Sequence, residues 1–156
     1  MEKRNGLSFN CAESVILQTN DRCPLPGFVL CHVRVGSVLG GGIAGRGEVC
    51  GAVSGAVVCL GLTFGSEGTE SEVEFKSKRA YARGLVNQFM DDFERAWGSV
   101  ECGALRAMDK GEASPSGTQR PAGPARDLCD DYVRWATARV SEIVSESAAE
   151  SNIEVQ

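Results

Sequence analysis

Gly40–Leu62, GGGIAGRGEVCGAVSGAVVCLGL, decides how this chain is read. Gly40–Gly47 carries five glycines in eight residues and cannot hold a regular element, so it reads as a loop. Glu48–Phe64 reads as a helix, with acidic Glu48 suited to its positive start and Gly65 to its end. Gly51, Ala52, Gly55 and Ala56 make one small-residue face that lets another backbone come close. Cys50 stands at the junction. The start of a helix presents unpaired N–H groups and a partial positive charge, so a thiol there is expected to ionise more readily than usual.

Outward from that stretch the pattern stays helical. Asn10–Asn20 predicts a helix capped by Asn10, with Glu13 three residues on completing a capping box and Ala12, Val15 and Ile16 facing inward. Asn20–Gly27 is a breaker-rich turn, and Phe28–Leu39 is assigned as helix despite its valines. Ser71–Trp97 predicts a long helix. Its first half is a solvated, salt-bridged face, and its second carries Tyr81, Leu85, Phe89, Phe93 and Trp97 as a core stripe. Val100–Met108 is a short helix or turn. Asp109–Gly123 has the composition of a flexible internal loop. Pro124–Ala149 reads as the last helix, with Leu128, Tyr132, Trp135, Val140, Ile143 and Val144 buried, and 151–156 as a frayed end. The expected architecture is all-α: one domain over 1–150, a bundle of five or six helices with a glycine-rich loop.

Composition narrows the function. A chain of 156 residues with 42% hydrophobic and 24% charged residues has the makings of a globular core. A net charge of −5 without a basic arm argues against nucleic-acid binding. No apolar run approaches the roughly 20 residues of a membrane span, and MEKRNGLSF lacks an apolar signal core, so a cytoplasmic protein without membrane insertion is expected.

Seven cysteines, at positions 11, 23, 31, 50, 59, 102 and 129, are many for such a chain. The odd count and wide spacing do not suit a secreted disulfide framework, and in a reducing compartment thiols serve as core residues, catalytic groups or metal ligands. Cys11, Cys50, Cys102 and Cys129 all fall at or near helix beginnings. Cys59 lies nine residues past Cys50, about 180° around the helix, and reads as core. Cys23 sits in a proline turn. Cys31 adjoins His32, the only histidine, but adjacent side chains diverge. There is no Cys-x-x-Cys for a thioredoxin-like site or zinc ribbon, and no Gly-Lys-Ser/Thr for a phosphate loop. Asp91, Asp92 and Glu94, and likewise Asp127, Asp130 and Asp131, read as solvated helix faces rather than metal carboxylates.

Cys50-Gly51-Ala52-Val53-Ser54-Gly55, with Cys11 in FNCAESV, Cys102 in GSVECGAL and Cys129 in DLCDDYVRWA, resembles the family named C_GCAxxG_C_C, whose central motif is written CGAxxG. The resemblance spans about residues 5 to 145. It implies a small helical protein with four hallmark cysteines and a redox role, and members often lie near transporter genes. Cys23, Cys31 and Cys59 fall outside the pattern.

The expected site therefore gathers Cys50, Cys11, Cys102 and Cys129, with Gly45, Gly47 and Gly51 as cofactor-binding positions. Two redox mechanisms compete: dithiol/disulfide cycling with Cys50 as the attacking thiolate, and an iron–sulfur cluster held by the four sulfurs. A structural Cys₄ zinc site is a third. The rival class is a non-catalytic binding module, an accessory to a membrane transporter, with the Gly51/Gly55 face open to a partner helix or a homodimer. The redox partner stays unnamed.

Overall fold

A computed structural model describes residues 1–112 and 128–153, with side chains described as far as Ser147. The six helices are α1 (Cys11–Arg22), α2 (Cys31–Gly36), α3 (Gly51–Phe64), α4 (Glu72–Trp97), α5 (Cys102–Asp109) and α6 (Cys129–Ile153). Before them, β1 (Lys3–Arg4) and β2 (Leu7–Ser8) pair antiparallel. The all-α reading holds, and the small hairpin is the addition. Its turn is Asn5-Gly6, both at positive φ (51° and 77°), the strongest short-range hairpin signal a sequence offers.

Local chemistry sets the ends of the helices. The Asn10 side chain accepts from the Ala12 and Glu13 amides while Glu13 reaches back to the Asn10 N–H at 2.8 Å, the capping box read from the sequence. Ser71 caps α4 by accepting from the Glu74 amide, and Gly98 ends it in the left-handed region. Two assignments need correction. Phe28–Leu39 supplies only the six residues of α2, after which the chain runs through turns into the glycine loop. α3 starts at Gly51, not Glu48, because Val49 pairs with Glu101 across an antiparallel bridge instead of entering the helix. The assigned helix start at Pro124 and most of the 109–123 loop lie outside the described residues. α6 continues to Ile153, into the stretch assigned as frayed, and 154–156 lie outside the described residues.

α1, α3 and α6 pack mutually, and α4 closes the core against α3 and α6. Ala12, Val15 and Ile16 of α1 are fully buried, as are Phe89 and Phe93 of α4. Phe93 meets the Trp135 ring edge-on at 5.4 Å, and Trp97 meets Tyr132 at 4.9 Å, so the aromatic residues of α4 and α6 form one cluster. The expected stripe is only partly core. Tyr81 is 49% exposed and lies edge-on to Phe64, because four-residue spacing drifts around a 3.6-residue helix. The charged half of α4 carries the surface pairs Lys76–Glu72 and Lys78–Glu74, and Lys78 also reaches Glu70 in the turn before the helix.

The small-residue face of α3 is taken up inside the molecule. A Cβ at Gly55 would lie 2.6 Å from the Ala12 carbonyl oxygen and 3.0 Å from its Cα; one at Gly51 would lie 2.2 Å from the Cys11 sulfur. Glycine at these positions lets α3 cross the N-terminal turn of α1 almost backbone to backbone. That face is therefore covered by α1, not left open to a second copy.

Candidate functional site

Two pieces of irregular backbone position the cysteines. The first is the glycine loop. Gly41, Gly42, Ile43, Ala44 and Gly45 all have positive φ, between 52° and 80°. A left-handed run costs an L-residue about 1–2 kcal/mol, so glycine at three of the five positions makes it accessible. The run folds the chain back on itself: the Gly45, Gly47 and Glu48 amides donate to the carbonyls of Gly40, Gly41 and Gly42 at 3.0, 3.1 and 3.1 Å. The loop seats against the start of α1 at Gly40, where a Cβ would lie 2.8 Å from the Asn10 Cβ, and the Asn10 side-chain amide donates to the Gly36 and Ser37 carbonyls at the end of α2. It seats against α5 at Gly42, where a Cβ would lie 2.7 Å from the Cys102 Cβ.

The second is a short antiparallel pairing of 47–50 with 100–103. The Cys50 amide donates to the Val100 carbonyl at 2.8 Å, the Cys102 amide to the Glu48 carbonyl at 2.7 Å and the Gly103 amide to the Gly47 carbonyl at 2.8 Å. These bonds clamp Cys50, the residue capping α3, beside Cys102, the first residue of α5. Cys11 opens α1 across the Gly51 contact, and Cys129 opens α6.

The four cysteines border one cavity of about 550 Å³, walled also by Phe9, Asn10, Gly41, Leu105 and Tyr132, with Arg106, Asp109 and Lys110 along α5 and the turn after it. Cys11, Cys50 and Cys102 are buried thiols, and Cys129 is half-buried. Cys23, Cys31 and Cys59 stand away from this cavity. Cys59 is fully buried in the core, facing the Thr19 hydroxyl.

The electrostatics correct one expectation. Cys50 stands where a helix start should favour its thiolate, and the Ala52 and Val53 amides do pull its pKa down. Neither closes a hydrogen bond of normal cap geometry. Burial outweighs them, and with the neighbouring Cys11 and Cys102 sulfurs it pushes the Cys50 thiol up to about 12. Cys102 is raised too, by burial first and Cys11 next, with Arg106 opposing. Cys50 is therefore a protonated thiol at neutral pH, not a resting thiolate.

The glycine assignments divide. Gly45 and Gly47 do not line the cavity, and their amides already bond within the loop. Gly51 matters by its missing side chain, whose place the Cys11 sulfur fills. The glycine that borders the cavity is Gly41. Arg106, Asp109, Lys110 and Tyr132 were missed as lining residues. One signal was available, since Arg106 follows Cys102 by four residues and so shares its helix face. Four thiolates are also the donor set of a zinc site or an iron–sulfur cluster. Among the described residues, however, no group of three or more Cys, His, Asp or Glu is disposed to hold a metal ion. The cavity thiols as arranged do not fit one.

The order of these sulfurs along the chain is also a family pattern. A family model described as "Putative redox-active protein (C_GCAxxG_C_C)" matches residues 9–143. The chain belongs to this family. Neither a curated protein nor a solved structure matches it. The C_GCAxxG_C_C match runs from just before Cys11 to beyond Cys129, so every cysteine at the cavity lies inside it. Among the described residues no helix is long and apolar enough to cross a membrane.

Proposed function

We propose that this chain is a thiol–disulfide redox protein in which pairs drawn from Cys11, Cys50, Cys102 and Cys129 cycle between dithiol and disulfide. The observation that carries the reading is the meeting of four sulfurs, distant along the chain, at one cavity that the other three cysteines do not reach. The redox-active description of the family supports it. Two cavity thiols reduce an external disulfide, giving two thiols on the partner and one intramolecular disulfide; the two protons and two electrons pass to the partner's sulfurs. Cys129, the least buried of the four, takes the first contact with a partner. Cys50, whose proton is held by burial, closes the disulfide rather than opening the exchange. Cys11 is its nearest candidate, since the Cys11 sulfur lies against the first residue of α3. A reducing compartment such as the cytoplasm would return the thiols to the resting state.

The test is oxidation of the reduced protein with diamide, followed by mapping of the linked peptides. Disulfides confined to the four cavity cysteines, and loss of the Cys50-containing link in Cys50→Ser, are expected. Thiols that resist diamide would overturn the reading in favour of a binding module. Anaerobic purification with iron and acid-labile sulfide assays forms the second arm. Stoichiometric iron and sulfide would replace dithiol cycling with a cluster and require the sulfurs to rearrange.

A further inference from the structure

The cavity walls carry chemistry that the thiols alone do not explain. Arg106 and Lys110 border it from one side, four residues apart, while the protein as a whole carries a net charge of −5. Among the described lining residues the carboxylate beside them is Asp109, which accepts the Tyr132 hydroxyl at 2.6 Å, and the Met1 amino group is paired with Asp130. Both cationic side chains are exposed, and among the described residues neither has an ion-pair partner. Phe9, Leu105 and Tyr132 supply apolar wall between that basic edge and the sulfurs. A volume of about 550 Å³ falls within the range of small-molecule sites and is too small for a folded partner's surface.

We propose that the cavity takes a low-molecular-weight disulfide bearing carboxylates, its acidic groups held by Arg106 and Lys110 and its sulfur–sulfur bond presented to the cavity thiols. This rests on the redox reading above and names its substrate class. One protein thiol, deprotonated on attack, displaces one half of the ligand as a thiol and forms a mixed disulfide. A second protein thiol then displaces the other half, leaving an intramolecular disulfide and two free small thiols. The carboxylated disulfide is the oxidant, so atoms and electrons balance. Arg106 and Lys110 are positioning residues, worth most in the rate of encounter.

The test follows thiol loss from the reduced full chain with glutathione disulfide, which is anionic, and cystamine, which is cationic, each rate normalised to that with free cysteine. Diamide is run alongside. The anionic disulfide should react about tenfold faster than the cationic one at low salt. That preference should shrink as salt is raised and collapse toward parity in Arg106→Ala/Lys110→Ala; because it is a ratio of two disulfides on the same thiols, the change in Cys102 acidity that follows the loss of Arg106 cancels from it. An equal or reversed preference, or one that the double variant leaves intact, overturns the assignment. If diamide still links the cavity cysteines in that case, only the substrate class falls; if diamide links none, the redox reading falls with it.

Discussion

The two ends of α3 present cysteines in nearly the same electrostatic state and in opposite structural circumstances. Cys50 caps the N-terminus and Cys59 lies deep in the second half; burial pushes each up to about 12. Yet Cys50 borders the cavity with three other sulfurs, while Cys59 is enclosed by core. Burial and thiol acidity therefore do not tell a cavity cysteine from a core one. What separates them is company. The glycines show the same contrast. Gly51 and Gly55 touch α1 so closely that a Cβ cannot enter, whereas a Cβ at Gly61 would meet nothing within 4 Å.

The sharpest way to break the comparison is a side chain at the crowded end. Gly51→Val would drive a branched Cβ into the Cys11 sulfur, so a loss of about 3 kcal/mol is expected in chemical denaturation, with the cavity disulfides lost on diamide treatment. A fully stable variant would show that the α1–α3 contact is not what brings Cys11 to Cys50. At the open end, Gly61→Ala should stabilise the protein by about 0.5–1 kcal/mol, because helix propensity is gained and nothing is displaced. A destabilised Gly61→Ala would contradict an open far end.

Alkaline titration tests the shared property. Both buried thiols hold their protons well above the ordinary value of 9.0, so the folded chain binds more protons than the unfolded one above that pH. Their stabilisation is complete below the unfolded pKa and declines as pH rises from about 9 toward 12. Unfolding midpoints measured across that window should fall, and either Cys50→Ser or Cys59→Ala should flatten the decline. Alkylation with iodoacetamide separates the two sites. Cys59 should label only as fast as the protein unfolds globally, whereas Cys50 should label through the cavity once the pH approaches its pKa. The smallest effect is expected at the outer end of α3. Tyr81→Phe keeps the edge-on contact with Phe64 and gives up only the hydroxyl's 3.2 Å bond to Ser147, for about 0.5 kcal/mol or less on a half-exposed ring.

Much of the fold could be read directly because its signals are local. Asn10 and Glu13 act within a few residues of themselves, and the structure uses the pair as read; Ser71 and Gly98 set the ends of α4 by equally local means. The misreadings share a cause. Val49 looked like the first turn of a helix and was drawn into a bridge by Glu101, a residue far along the chain. Cys50 looked acidic because the helix start is visible in the sequence and the burial around it is not. The Asn5-Gly6 hairpin was equally visible and passed over. At the site, the cysteines at positions 11, 50, 102 and 129 could be grouped by family order. Arg106 and Lys110 could not, since a charge on an α5 face reads as solvated surface until the other walls are in place.

By itself, then, the sequence determined the helical segments, the glycine loop and which cysteines belong to the family pattern. Each depends on backbone preference and residue type at short range. Only the tertiary structure decided that four cysteines share one cavity, that three of them are buried, and that a basic edge faces them. The reason is physical: desolvation and proximity belong to the packed arrangement of α1, α3, α5 and α6, and no single segment carries either.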